Sequence, residues 1–172
     1  MSQSSENLRR LAYAGMIAAV YAAATLLLPI PQYGGVQFRA AEAMTLLPLL
    51  FPEAVPGLAA GCFLANFLGS PMALDWLFGT LATLLAALIT RRMPNAFLAV
   101  LPPVLCNGVI VGAEIAWFAV QDGAAFWPAF GLNALTVALG EAAVCCLLGL
   151  PLLRALSRLP LLRGRAEARR VR

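Results

Sequence analysis

Three glutamates, three asparagines, an aspartate and an arginine interrupt stretches of this chain that are otherwise apolar: Glu42, Glu114, Glu141, Asn66, Asn107, Asn133, Asp75 and Arg39. Carboxylates and amides at such places do one of two things. They bond to one another across packed helices, or they bind a polar ligand. A charge at the centre of a membrane helix costs about 2.5–3.5 kcal/mol on insertion scales, so it persists only where it faces an interior, a partner or a ligand. Asn107 and Glu114 are seven apart, which puts them on one helical face, and Trp117 lies a turn beyond Glu114. An amide, a carboxylate and an indole on one stripe suit a planar, nitrogen-rich ligand. The indole stacks on the ring and the carboxylate accepts its N–H groups. The same residues also suit an interhelical hydrogen-bond network with Trp117 as an interfacial anchor. Trp76 is a second stacking candidate. Arg39 and Glu42, three apart, can simply pair, and Asp75 can cap the helix that follows it.

Other chemistries lack their parts. The chain has no histidine, and none of its 4 cysteines forms a C-x-x-C pair, so neither a metal nor a cofactor is expected. Cys62, Cys106, Cys145 and Cys146 read as small packing residues. There is no G-x-S-x-G nucleophile turn, which weakens an intramembrane enzyme. There is no lysine and no G-x-x-x-x-G-K-[ST] loop, so the chain holds no ATPase site of that type. An ion-gradient-driven secondary transporter is the remaining alternative, but no internal repeat supports it.

The elements that position these residues are apolar. The chain is 62% hydrophobic and 12% charged over 172 residues, with a mean hydropathy of +0.84. Soluble domains carry about 25% charged residues. The 12 basic residues are all arginine, and they flank apolar runs instead of lining one face, so no nucleic-acid partner is expected. Arg9 and Arg10 precede the first run, Arg91 and Arg92 follow the middle one, and Arg154, Arg158, Arg163, Arg165, Arg169, Arg170 and Arg172 crowd the tail. The tail arginines suit the anionic headgroups of membrane lipids.

Breaks at Pro29–Arg39, Pro52–Pro56, Gly69–Asp75, Arg91–Asn95 and Val120–Phe126 give spans near 9–29, 40–52, 55–69, 73–90, 96–120 and 126–156. Spans two and three are short for a bilayer that takes about 20 helical residues. Fusing them gives five spans, which would place the middle and tail arginines on opposite sides from the first pair. Six spans keep all three basic groups on the cytoplasmic side and leave only Arg39 outside. The expectation is therefore an all-α membrane protein, a compact six-helix bundle with both termini cytoplasmic. Residues 1–8 form the N-terminus, 9–156 the substrate-binding bundle and 157–172 a basic tail. The first run resembles a signal peptide, but Leu11 to Leu28 is long enough to span, so it is retained as a helix. Pro48, Pro52 and Pro56 free backbone groups, which places spans two and three against protein instead of lipid. On this count the polar residues gather toward the outer half, with Asn107 and Glu141 nearer the middle.

Span one carries Ala14, Ala18 and Ala22 at four-residue steps, with Gly15, Ala19 and Ala23 beside them. Such a stripe lets another helix approach closely, either within the chain or from a separate subunit.

Four long strings carry a resemblance: VQFRAAEAMTLLPLLFPEAVPGLAAGCFLANFLG (36–69), LDWLFGTLATLLAALITR (74–91), LPPVLCNGVIVGAEI (101–115) and LNALTVALGEAAVCCLLGLPL (132–152). Together they resemble the QueT family of membrane proteins over about residues 8–156. The resemblance implies the S component of an energy-coupling-factor (ECF) transporter, a six-helix capture subunit that works with a T subunit and a pair of ATPases. It implies a queuosine precursor of the 7-deazaguanine type as substrate. It also implies that Ala14, Ala18 and Ala22 meet the T subunit. With that ligand, Glu114 is the first choice for the base edge and Glu42 or Glu141 for an ammonium. Asn66, Asn107 and Asn133 are candidate amide partners, and Trp76 or Trp117 the stacking platform.

Overall fold

The computed structural model of the chain describes residues 3–28 and 38–159. Arg163, Arg165, Arg169, Arg170 and Arg172 of the expected tail lie outside the described residues, as does most of the first break. The described residues are helical throughout, with no strand. Helix α1 runs Gln3–Leu27, followed by a 3-10 helix at Ala40–Leu49. Next come α2 at Ala54–Gly69 and α3 at Leu74–Thr90. A short 3-10 turn at Leu98–Val100 leads into α4 at Leu101–Gln121. Then α5 at Phe126–Val144 passes through a π-helical stretch, Cys145–Gly149, into α6 at Leu150–Ser157. The later breaks expected from proline, glycine and charge fall at these helix ends.

Three segments, Gln3–Leu27, Leu98–Gln121 and Phe126–Ser157, have the length and apolarity to cross a membrane. The other three are shorter. Large apolar side chains point away from the protein all round the bundle, among them Leu27, Phe63, Leu68, Leu105, Leu139 and Leu147. An exposed apolar surface of that extent belongs against lipid.

The 3-10 helix is the centre. Residues Ala41 to Leu50 are all buried, and it touches α1, α2, α3, α5 and α6. Ten residues in 3-10 form are unusual, since such runs rarely exceed 3–4 residues. At about 2.0 Å per residue the form reaches further than an α-helix at 1.5 Å, which lets a short segment traverse more of the bundle. Pro48 sits inside it, and the turn closes with Leu50 N–H on the Leu47 carbonyl at 2.8 Å. The expected shielding from lipid holds for this segment. It does not hold for α2, which buries Gly57, Gly61 and Ala65 but exposes Phe63, Leu64, Phe67 and Leu68.

Small residues set the helix spacing. A Cβ built on Gly61 would stand 2.8 Å from the Ala18 carbonyl oxygen, and one on Gly57 2.7 Å from that of Ala14. A Cβ on Gly112 of α4 would meet Ala134 Cα of α5 at 2.6 Å. The Ala14–Ala18 stripe is thus covered by α2, and Ala22 is partly buried in the same packing. Packing within the chain uses the buried Ala18 and one side of the half-buried Ala14 and Ala22. The outward small face of α1 is Gly15, Ala19 and Ala23.

One end of the bundle collects the basic elements. Phe51, Met93, Ala96, Leu153 and Leu156 pack in one cluster, so the turn after the 3-10 helix, the loop after α3 and the end of α6 meet there. Arg10 of α1 reaches the same end, 3.9 Å from Glu53. Arg91, Arg92 and Arg154 adjoin that cluster in sequence.

Candidate functional site

Most of the buried polar side chains form one connected network, with Glu53 and Thr90 apart from it. It starts at the head of the 3-10 helix, where Arg39 and Glu42 are both buried and their Nη1 and Oε1 atoms stand 4.0 Å apart. The pairing expected from their spacing is present. Tyr21 of α1, fully buried, donates its hydroxyl hydrogen to Glu42 Oε1. One turn on, the Thr45 hydroxyl donates to the Glu42 carbonyl at 2.6 Å and lies 3.7 Å from Cys145 Sγ. The Cys145 thiol in turn reaches Glu141 Oε1 at 3.7 Å. Asn107 of α4 lies beside Glu141 of α5, although its Nδ2 finds no well-formed partner.

A second branch leaves Arg39 toward α2 and α3. Arg39 Nη1 is 4.0 Å from Cys62 Sγ. Cys62 lies 3.2 Å from the Thr83 hydroxyl and 3.5 Å from Asn66 Nδ2. Asn66 Nδ2 also donates to the Asp75 carbonyl at 2.9 Å. Gly79 makes this crossing possible, because a Cβ there would stand 2.6 Å from that Nδ2. Ser70 donates its hydroxyl hydrogen to Asp75 Oδ2. Asp75 is fully buried one residue inside α3, with Ala73 at the capping position, so the cap reading is corrected. Its carboxyl group faces Glu114 of α4, close enough to interact but without a well-formed hydrogen bond.

Beside the first branch lies a cavity of about 10 Å³, lined by Arg39, Glu42, Asn107, Val111, Val137 and Glu141. That is room for roughly one water. The 3-10 helix forms one wall, and α4 and α5 form the other.

The charge balance is lopsided. Glu42, Asp75, Glu114 and Glu141 are buried in this network, and Arg39 is its single cation among the described residues. Buried charges without partners are expensive, so this arrangement calls for protons or for a positively charged, donor-rich guest. The unpartnered buried atoms lean the same way. Glu42 Oε2, Asn66 Oδ1, Asp75 Oδ1 and both Glu114 carboxyl oxygens await donors, whereas Asn107 Nδ2 and Trp76 Nε1 await acceptors.

Of the residues chosen from sequence, the structure brings together Arg39, Glu42, Asn66, Asp75, Asn107, Glu114 and Glu141. Trp76 is half-buried at the margin, its ring edge-on to Phe67 at 4.9 Å. Trp117 is 57% exposed and faces away from the network, so its stripe with Asn107 and Glu114 is corrected. Three residues of helix turn about 300°, which leaves Trp117 about 60° off the Glu114 direction. Asn133 is also outside, with its Nδ2 on the Ala129 carbonyl of its own helix at 2.8 Å. Sequence reasoning missed Tyr21, Thr45 and Thr83, and it assigned Cys62 and Cys145 to plain packing. Two of these carried a readable signal: Cys62 precedes Asn66 by four residues and Cys145 follows Glu141 by four.

An apolar helical bundle around an acid-rich, polar interior is the architecture of a membrane protein. The family model described as QueT transporter matches residues 11–158, and the chain belongs to that family. It is a membrane transporter. No curated protein and no solved structure matches the chain.

Proposed function

We propose that this chain is the S component of an energy-coupling-factor transporter and captures a queuosine precursor, a 7-deazaguanine that carries an aminomethyl group. The observation that carries the reading is the excess of four buried carboxyl groups over one guanidinium in the network. Such a ligand presents N–H groups on its base edge and an ammonium on its side arm, against few acceptors. Glu114, with Asp75 and Asn66 beside it, takes the N1–H and exocyclic amine. Glu42 and Glu141 take the ammonium, and Asn107 Nδ2 donates to the ring carbonyl. Trp76 remains as a stacking surface.

A bicyclic ligand is far larger than a one-water cavity, so capture requires the 3-10 helix to part from α4 and α5. The chain then depends on others for energy. It has no lysine and no Walker-type loop, and the resemblance assigns ATP hydrolysis to a pair of ATPases coupled through a T subunit. Six crossings with both termini in the cytoplasm accord with the basic elements that share one end of the bundle. The partner helix would meet Gly15, Ala19 and Ala23 of α1, where small exposed residues permit close approach.

The test is thermal unfolding of detergent-purified protein with 7-aminomethyl-7-deazaguanine, guanine and adenine. Ligand that binds the folded state raises apparent stability, by about 2.7 kcal/mol at a hundredfold excess over Kd. A rise with the deazaguanine alone is expected. No rise with the deazaguanine removes the proposal.

A further inference from the structure

Tyr21 does not line the cavity described above, yet it is tied to its wall. It sits on α1, fully buried, against Gly61 of α2. A Cβ on Gly61 would stand 2.9 Å from Tyr21 Cβ, so the two helices are close enough to fix where the ring emerges. The neighbouring turn of α1 carries Thr25, whose hydroxyl donates to the Tyr21 carbonyl at 3.0 Å. From this held position the phenol reaches Glu42, 21 residues away, and donates to Oε1. Arg39 Nη1 approaches the same oxygen at 4.0 Å. Oε1 is therefore engaged by two groups, and Oε2 is buried with no hydrogen-bond partner, on a side chain that lines the cavity.

We propose that Tyr21 is a positioning residue: by holding one oxygen of Glu42 it fixes the carboxylate's rotation and presents the other as the acceptor for the ligand's ammonium. A buried tyrosine commonly finds some acceptor for its hydroxyl, and that alone would be a structural role. The difference is selectivity. A positioning role acts only on ligands that carry the cation and only through Glu42. This inference rests on the substrate class given above.

The experiment measures binding calorimetrically to the full-length purified chain, using 7-aminomethyl-7-deazaguanine and its neutral 7-cyano counterpart. Wild type, Tyr21→Phe, Glu42→Gln and the double variant are compared. Tyr21→Phe should weaken the aminomethyl compound about tenfold, which is 1.4 kcal/mol, and leave the cyano compound within about twofold. In the Glu42→Gln background it should cost nothing further. Equal losses for both ligands, or the full loss without Glu42, overturn the proposal. Wild type that binds neither compound overturns the substrate reading instead. The infrared carboxyl bands of ligand-free protein then decide Tyr21. The band that Glu42→Gln deletes should shift in Tyr21→Phe, and a fixed band overturns the role. If Tyr21→Phe does not fold, 3,5-difluorotyrosine at that position donates more strongly and should shift the band the other way. No movement there also overturns it.

Discussion

Asp75 and Glu114 approach each other from neighbouring helices, and both are buried. Two acids so placed repel when both are ionised, so the pair favours a shared proton or a donor-rich guest. Glu114→Gln should separate stability from binding. Its ligand-free unfolding temperature should equal or exceed wild type, because the neutral amide cannot repel Asp75. Affinity for the aminomethyl deazaguanine should fall about tenfold or more, in line with a charged hydrogen bond worth about 1.5–3 kcal/mol. Calorimetry that returns wild-type affinity removes Glu114 from the base edge. Trp117→Ala makes the contrast. At 57% exposure the indole touches no part of the network, so affinity should not change. Individual side chains were the least legible part of the sequence. Polar residues inside apolar runs announce themselves, which is why Glu42, Asn107 and Glu141 could be chosen unaided. Tyr21 could not, since an amphipathic residue in an apolar helix has many bland uses and its partner is remote in sequence.

At the level of elements, the first helix packs closely on α2. Ala14 and Ala18 are met by glycines of α2, so the small stripe joins two helices of one chain. Gly61→Leu should push α1 away and cost about 1–3 kcal/mol, the usual penalty of overpacking, read as a lower unfolding temperature. Ala18→Trp should do likewise, whereas Ala19→Trp should leave folding and ligand affinity intact and abolish uptake by cells that hold the partner subunits. Uptake that survives Ala19→Trp clears that face of a docking role. Helix limits were readable because proline, glycine and charge punctuate them: Pro52, Gly69, Arg91 and Asp122 all fall at ends. Helix type was not. The residues of the 3-10 segment would serve an α-helix equally well, and only burial on all sides, with Pro48 inside, accounts for the longer reach. The same holds for the π-helical stretch, whose Gly149 brings its backbone within reach of Leu46 and the Ala43 carbonyl of the 3-10 helix.

Taken whole, the molecule has an acid-rich interior at one level and a basic end at another, with an apolar exterior between. Membrane vesicles holding this chain alone should accumulate no deazaguanine under an imposed proton or sodium gradient. Adding the T subunit, the ATPase pair and ATP should start accumulation. Uptake by the lone chain would mark it as a secondary transporter. The whole-molecule reading was the most legible of the three scales, because the distribution of twelve arginines and the long apolar runs are statements about the entire sequence.

The tightness of the interior also governs timing. If entry waits on a rare wider conformer, the observed association rate will climb with ligand concentration and then level off at the rate of opening, well below encounter by diffusion. Apparent affinity would be diluted by the same rarity: a conformer present at about 1% weakens it about a hundredfold relative to the wider form itself. Substitutions that loosen the contact between the 3-10 helix and α5 should then speed capture and tighten binding together, at the expense of a lower melting point.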